Sequence, residues 1–223
     1  PKNIKGDLLV KNQMAVSRNI KFEAMGGTLS LNGIVDAKDP QAIDVVSSFK
    51  LDNVNLDSIF FVFENFKQTF IEDQHLKGKS FADVNLDMTL NQKLNLIPST
   101  LVSDISVTIK NGELNNFEPM RSLNKYLDDE SLSHLRFGDL KNNIHIENQT
   151  IYIPQMEINS NATSIQLSGI HSFDQKIDYR IIAPLPEVLE YRNARVILRQ
   201  YDSLYSKWCW VAQNENAAQY SAV

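Results

Sequence analysis

Cysteine is nearly missing from this chain: Cys209 is the only one among 223 residues, so no internal disulfide can staple the fold. A lone thiol suits a reducing compartment. It also suits a periplasmic protein that avoids cysteine, so it does not choose between the two. Long apolar runs are missing as well. The oiliest cluster, Ile59 to Phe63, falls far short of the roughly 20 residues that span a bilayer as a helix. There is no dense Lys/Arg stripe, the net charge is −5 and the sequence pI is about 5.4, which argues against nucleic acid as a partner. The chain opens on Pro1 with neither an initiator Met nor a signal peptide. We therefore expect it to be part of something longer, with any anchor or export signal upstream.

Recognisable chemistry is missing too. Gly78-Lys79-Ser80 ends like a phosphate-binding loop, but Asp73 stands where that loop needs its first glycine. The segment also leads into a strand rather than opening a helix. His75, His134, His145 and His171 are scattered without metal-ligand spacing, and a metal site needs three or four convergent ligands. His145 and His171 are read as solvated residues on polar strand faces. Carboxylates such as Asp83, Asp87, Asp104, Asp128, Asp129 and Glu130 fall at strand ends and turns, with no pair marked out for glycoside hydrolysis. Cys209 has no obvious histidine partner. Asn148-Gln149-Thr150 and Asn161-Ala162-Thr163 are formal glycosylation sequons, read first as turns. The expectation is a protein that is not an enzyme, with no cofactor and no metal.

What is present is alternation, in a chain long enough to bury a core. From Phe137 to Ile182, Ile144, Ile146, Ile151 and Ile153 take one side, while Asn143, His145, Glu147, Thr150 and Tyr152 take the other. The same period of two runs through Ile20–Met25, Thr28–Ile34, Asp44–Asp52, Asp83–Asn91 and Asp104–Lys110. That period is the signature of strands with one buried face. Turns are expected at Asn148–Gln149, Asn159–Asn161 and Phe173–Gln175, where Asn and Asp tolerate left-handed backbone.

Two stretches switch to helical spacing. Asn55–Phe70 sets Leu56, Ile59, Phe60, Phe63, Phe66 and Phe70 at steps of three and four, with Asn55 as the expected cap. Asn116–Leu127 does the same with Phe117, Met120, Leu123 and Leu127. Pro119 is tolerable in its first turn. Asp129–Leu135 suggests a further short turn. There is also an echo. Gly6-Asp7-Leu8 returns as Gly138-Asp139-Leu140, and Leu31-Asn32-Gly33-Ile34 returns as Leu167-Ser168-Gly169-Ile170. Two matches in the same order suggest a duplicated β-meander. After Pro184 the alternation stops, and residues 184–223 read as an atypical tail, helical or disordered.

A sheet that is oily on one face must hide that face behind a second sheet, helices or a ligand. Some nine strands at about 4.8 Å spacing make a sheet roughly 40 Å across. Two helices, each covering a strip about 10 Å wide, leave most of it bare. Two architectures remain: a β-sandwich with the isoleucines as core, or a curled antiparallel sheet with an apolar groove suited to acyl chains.

One stretch carries a resemblance. Asn111-Gly112-Glu113-Leu114 closes a strand, and Asn116-Phe117-Glu118-Pro119 enters a helix. Phe137-Gly138-Asp139-Leu140, a hairpin through Asn148, Ser160-Asn161-Ala162, Leu167-Ser168-Gly169 and Ile177-Asp178-Tyr179 follow in order. This series resembles the C-terminal region of the AsmA family, and Phe22–Ala37 is similar to the family's strand-Gly-Gly-strand unit. The resemblance covers roughly residues 1–183. It implies an envelope protein of Gram-negative bacteria, periplasmic and anchored in the inner membrane by an upstream helix. It also implies kinship with TamB and the eukaryotic bridge-like lipid transfer proteins, whose curled sheets hold a groove for phospholipid. The tail beyond Pro184 departs from the family.

The resulting expectation is a mainly β domain over 1–183 with two short helices and an apolar concave face. The candidate lining residues are Val84, Leu86, Met88, Ile105, Val107, Ile109, Ile144, Ile146, Ile151, Ile153, Ile165, Leu167, Ile177 and Tyr179. The expected ligand is phospholipid or another acyl chain, and the expected role is lipid transport in outer-membrane biogenesis. A rival role is a scaffold aiding outer-membrane protein assembly through sheet edges.

Overall fold

A computed structural model describes residues 1–67, 71–117, 121, 133–162, 164–174, 176–184, 195–199, 209–213 and 220–221. Consecutive hairpins dominate it. β1 (Lys2–Lys11), β2 (Met14–Ala24), β3 (Gly27–Asp36) and β4 (Ile43–Asn55) lead into helix α1 (Leu56–Val62). Then come β5 (Leu76–Leu90), β6 (Val102–Asn115), β7 (His134–Phe137), β8 (Leu140–Glu147), β9 (Thr150–Asn159), β10 (Ser164–Ser172) and β11 (Ile177–Pro184). β12 (Arg195–Arg199), β13 (Cys209–Gln213) and β14 (Tyr220–Ser221) follow. All fourteen strands belong to one antiparallel sheet, with β7 pairing off the main path onto β6. The sheet is open: β1 and β14 are its ends and do not meet. The described strands thus form a single curled sheet, and the sandwich alternative falls away.

Asparagine does much of the shaping. Asn12–Gln13 and Asn148–Gln149 take positive φ at both positions, as two-residue hairpin turns require. Asn19, Asn53 and Asn111 also have positive φ, and each lies where the strand pairing slips by a residue. Such bulges bend the strand and add right-handed twist. A meander carrying several of them curls instead of lying flat.

The helical expectations fare less well. α1 ends at Val62, and a 3-10 stretch, Glu64–Lys67, replaces its continuation because Asn65 and Phe66 turn left-handed. Asn55 stands at the cap position but makes no side-chain cap. Its Oδ1 instead accepts a 2.6 Å hydrogen bond from Lys79 Nζ on β5, tying the helix entry to the sheet. Phe61, Val62, Phe63 and Phe66 remain exposed. Of the second predicted helix, 116–127, most lies outside the described residues. The turn expected over Asp129–Leu135 is overtaken at its end by β7. Most of the tail lies outside the described residues; its described parts, β12 to β14, are strands that extend the sheet beyond β11. The sequence hid them because each is a few residues long and lacks a clean period.

Buried apolar side chains are few among the described residues. Val54, Leu56 and Leu76 lie where α1 meets β4 and β5. Leu29 and Ala82 lie within β3 and β5, Phe117, Leu135 and Leu140 on the chain after β6, on β7 and on β8, and Ile165 and Tyr179 on β10 and β11. Much of the remaining apolar face is half-buried.

Candidate functional site: one apolar face

Cross-strand register shows which side chains share a face, because directly paired residues point the same way. One row runs Ile20–Leu31–Phe49–Val84–Ile105–Ile144 across β2, β3, β4, β5, β6 and β8. The next row runs Ser17–Gly33–Ser47–Leu86–Ser103–Ile146–Ile151–His171–Ile177. A third runs Phe22–Leu29–Leu51–Ala82–Val107–Asn142. Val45 pairs with Met88 and Ile109 with Leu140 on the same side. Ile153 reaches Tyr179 through Gly169; Leu167 and Ile165 follow on the same face of β10, and a bulge in β9 brings Met156 and Ile158 opposite them.

Every lining residue expected from the sequence therefore lies on this one face. Most are half-buried, although among the described residues only α1 and its flanking turns form a layer against the sheet. The expectation omitted the β2–β4 contribution, chiefly Ile20, Leu29, Leu31, Phe49 and Leu51. The signal was available, since these positions obey the same alternation.

His171 is the main correction. It does not sit on a polar strand face. It lies on the apolar face, buried, with Nδ1 3.2 Å from the Tyr179 hydroxyl and the two rings edge to face. Ile170 beside it takes the outward position and is 44% exposed. Gly169 explains the arrangement. A Cβ there would stand 2.3 Å from Tyr179 Cδ1, so the ring occupies the space a side chain would fill. Burial pushes the His171 imidazole below its ordinary value and the Tyr179 hydroxyl well above its own. Both are held neutral, as an apolar surrounding favours.

His145 behaves as a solvated residue. It faces outward, opposite Asp104 and Tyr152. Its Nδ1 lies 2.8 Å from Asp104 Oδ1, and this carboxylate raises its pKa. The rest of the outer face is largely polar, with rows such as Lys21–Ser30–Lys50–Asp83–Ser106–Asn143. One apolar row interrupts it: Leu9–Val16–Ile34–Val46, continuing past Asp87 to Val102. A depression of about 460 Å³ lies between this row and the polar row Arg18–Asn32–Ser48–Asn85–Asp104. A twisted sheet is saddle-shaped, so each face is concave along one diagonal. The depression is open, and its lining carboxylates are Asp87 and Asp104. Among the described residues no group of acids, histidines or cysteines is placed to hold a metal. Nor is any described helix long and apolar enough to cross a membrane.

Comparison with protein-family models, characterised proteins and solved structures returns no match for this chain.

Proposed function

We propose that this chain is a non-enzymatic lipid-handling module whose apolar sheet face binds the acyl chains of phospholipid. The observation that carries the reading is the continuous apolar face through Val84, Ile105, Ile144, Ile146 and Ile151, on which the described residues set no second sheet. Water is a poor neighbour for such a surface, and burying methylene groups on it gains about 0.8 kcal/mol each. A stripe gives many equivalent contacts and no fixed endpoint, which suits a chain that slides. The resemblance to the AsmA family supports a setting in the periplasm of a Gram-negative envelope, with an anchor in the inner membrane and a role in lipid movement to the outer membrane.

Native mass spectrometry with lipid extraction tests this on protein purified from a bacterial host. The expected result is phospholipid at near-stoichiometric amounts, lost in Ile146→Asp and Leu167→Asp. Tyr152→Asp, on the opposite face one residue from Ile151, should retain it. A stable, monodisperse, lipid-free protein overturns the reading.

A further inference from the structure

We infer that Ser47 is a specificity-determining residue of the apolar face: its hydroxyl donates a hydrogen bond to an ester carbonyl oxygen of the bound phospholipid, and so selects ester-linked over ether-linked chains. Ser47 lies within the face assigned to acyl chains, so its role rests on the lipid-handling reading.

The row that carries Ser47 differs from its neighbour. It runs Ser17–Gly33–Ser47–Leu86–Ser103 from β2 to β6, with a small residue at every position except Leu86. The next row along the same strands, Ile20–Leu31–Phe49–Val84–Ile105, is apolar throughout. The face therefore has a low notch with hydroxyls on its floor. Small residues alone do not make a site, but these hydroxyls are not alike. Ser17 Oγ donates a 3.2 Å hydrogen bond to the Gly33 carbonyl oxygen, and Ser103 Oγ a 2.7 Å bond to that of Asn85. Ser47 is 9% exposed, and its Oγ finds no hydrogen-bond partner among the described residues. A buried hydroxyl left unpaired is costly and uncommon in folded proteins, so it marks a place where a partner is expected.

The chemistry of that partner follows from what Ser47 lacks. A hydroxyl has one proton to give. Ser17 and Ser103 have already given theirs, so the unmet need of the notch is an acceptor. An ester carbonyl oxygen is such an acceptor, placed where an otherwise apolar lipid chain turns polar. An ether oxygen is a much poorer one. A carboxylate would also accept, but its charge would go uncompensated in this row. Gly33 gives the ester its room. A Cβ there would stand 3.0 Å from Ser47 Cβ, so its absence leaves a gap beside the serine. Serine has three staggered χ1 wells, and rotation between them turns the hydroxyl toward that gap. With the ester held there, the acyl chains run along the strands over Phe49 and Val84, then Leu51 and Ala82. At about 3.4 Å per residue these two rows cover about 14 Å of chain. The notch thus adds a point of registration to a stripe whose apolar contacts are otherwise equivalent.

Native mass spectrometry of the delipidated 223-residue chain tests this. The probe is an equimolar mixture of two phosphatidylethanolamines of equal chain length, one ester-linked and one ether-linked. The parent should favour the ester form about three- to tenfold, the worth of one net hydrogen bond. Ser47→Ala should bind both forms alike. Ser48→Ala, one residue away on the outer face, should keep the preference of the parent. Equal binding of the two lipids by the parent overturns the inference and leaves the lipid-handling reading standing. So does a preference that survives in Ser47→Ala, or one that is lost equally in Ser48→Ala. A chain that takes up neither lipid overturns both.

Discussion

The two echoed stretches of the chain use the same feature in opposite ways. Gly33 in β3 and Gly169 in β10 occupy corresponding places in three-strand meanders, and both point to the apolar face. Gly33 is flanked across the strands by Ser17 and Ser47, so the face stays low there. Gly169 is flanked by Ile153 and Tyr179, and the Tyr179 ring lies over it. The first meander thus leaves its stretch of the face shallow. The second fills it and buries His171 and Ile165 alongside. A glycine in a strand does not by itself make a groove. The cross-strand neighbour decides whether the vacated space is left or taken.

The largest effect that would break this contrast comes from the ring itself. Tyr179→Ala removes a side chain only 6% exposed and leaves Gly169 uncovered. The loss should be about 3–5 kcal/mol of unfolding free energy, as for other buried aromatics, read as a lower urea midpoint. A shift under about 1 kcal/mol would mean that the second meander is as open as the first. The glycines come next. Gly169→Ala puts a methyl 2.3 Å from the ring and 2.5 Å from the Asp178 carbonyl oxygen. The strain should cost about 1–3 kcal/mol. Gly33→Ala meets Ser47 Cβ at 3.0 Å and the Val46 carbonyl oxygen at 3.1 Å, a much milder crowding. It should stay within about 1 kcal/mol of the parent, because a strand alanine recovers backbone entropy lost to glycine. Equal costs at the two positions would erase the contrast.

The same region marks how far the sequence could be read. The hairpins, the single apolar face and the residues on it follow from period-two alternation, which is a local property. His171 was misread because Gly169 and the apolar Ile170 disturb the pattern, and only the cross-strand Tyr179 reveals the phase. The cap at Asn55 failed for the same reason: Lys79, 24 residues away, competes for its side chain. Single sheet against sandwich was not legible either, since both bury the same stripe of residues and differ only in how strongly the strands bulge and curl.

The two central histidines sharpen the comparison through pH. Burial lowers the pKa of His171 from its ordinary 6.5, so below that value the unfolded chain takes up a proton that the folded chain resists. Its contribution to stability is whole above pH 6.5 and is lost as pH falls toward its folded value. His145 is raised by Asp104, so its contribution has the opposite sign: present below pH 6.5 and lost as pH rises through its folded value. Urea midpoints measured from about pH 7.5 to 5 should therefore fall less steeply in His171→Gln than in the parent. They should fall more steeply in His145→Gln. A His171→Gln profile parallel to the parent would place that imidazole in water.

The smallest expected effect concerns two serines that flank Leu86 on the same row. Ser103 Oγ donates a 2.7 Å hydrogen bond to the Asn85 carbonyl oxygen. Ser47 Oγ is buried and finds no hydrogen-bond partner among the described residues. Folding takes both hydroxyls out of water, but only Ser103 recovers a hydrogen bond. Ser103→Ala should then cost about 1 kcal/mol, the usual net worth of such a bond. Ser47→Ala removes only an uncompensated desolvation, so it should be neutral or stabilising by up to about 1 kcal/mol. The shallow stretch around Gly33 would thus tolerate a more apolar floor without losing its shape. If Ser47→Ala were as costly as Ser103→Ala, the Ser47 hydroxyl must have a partner, and the low stretch of the face would be polar ground rather than part of an apolar path.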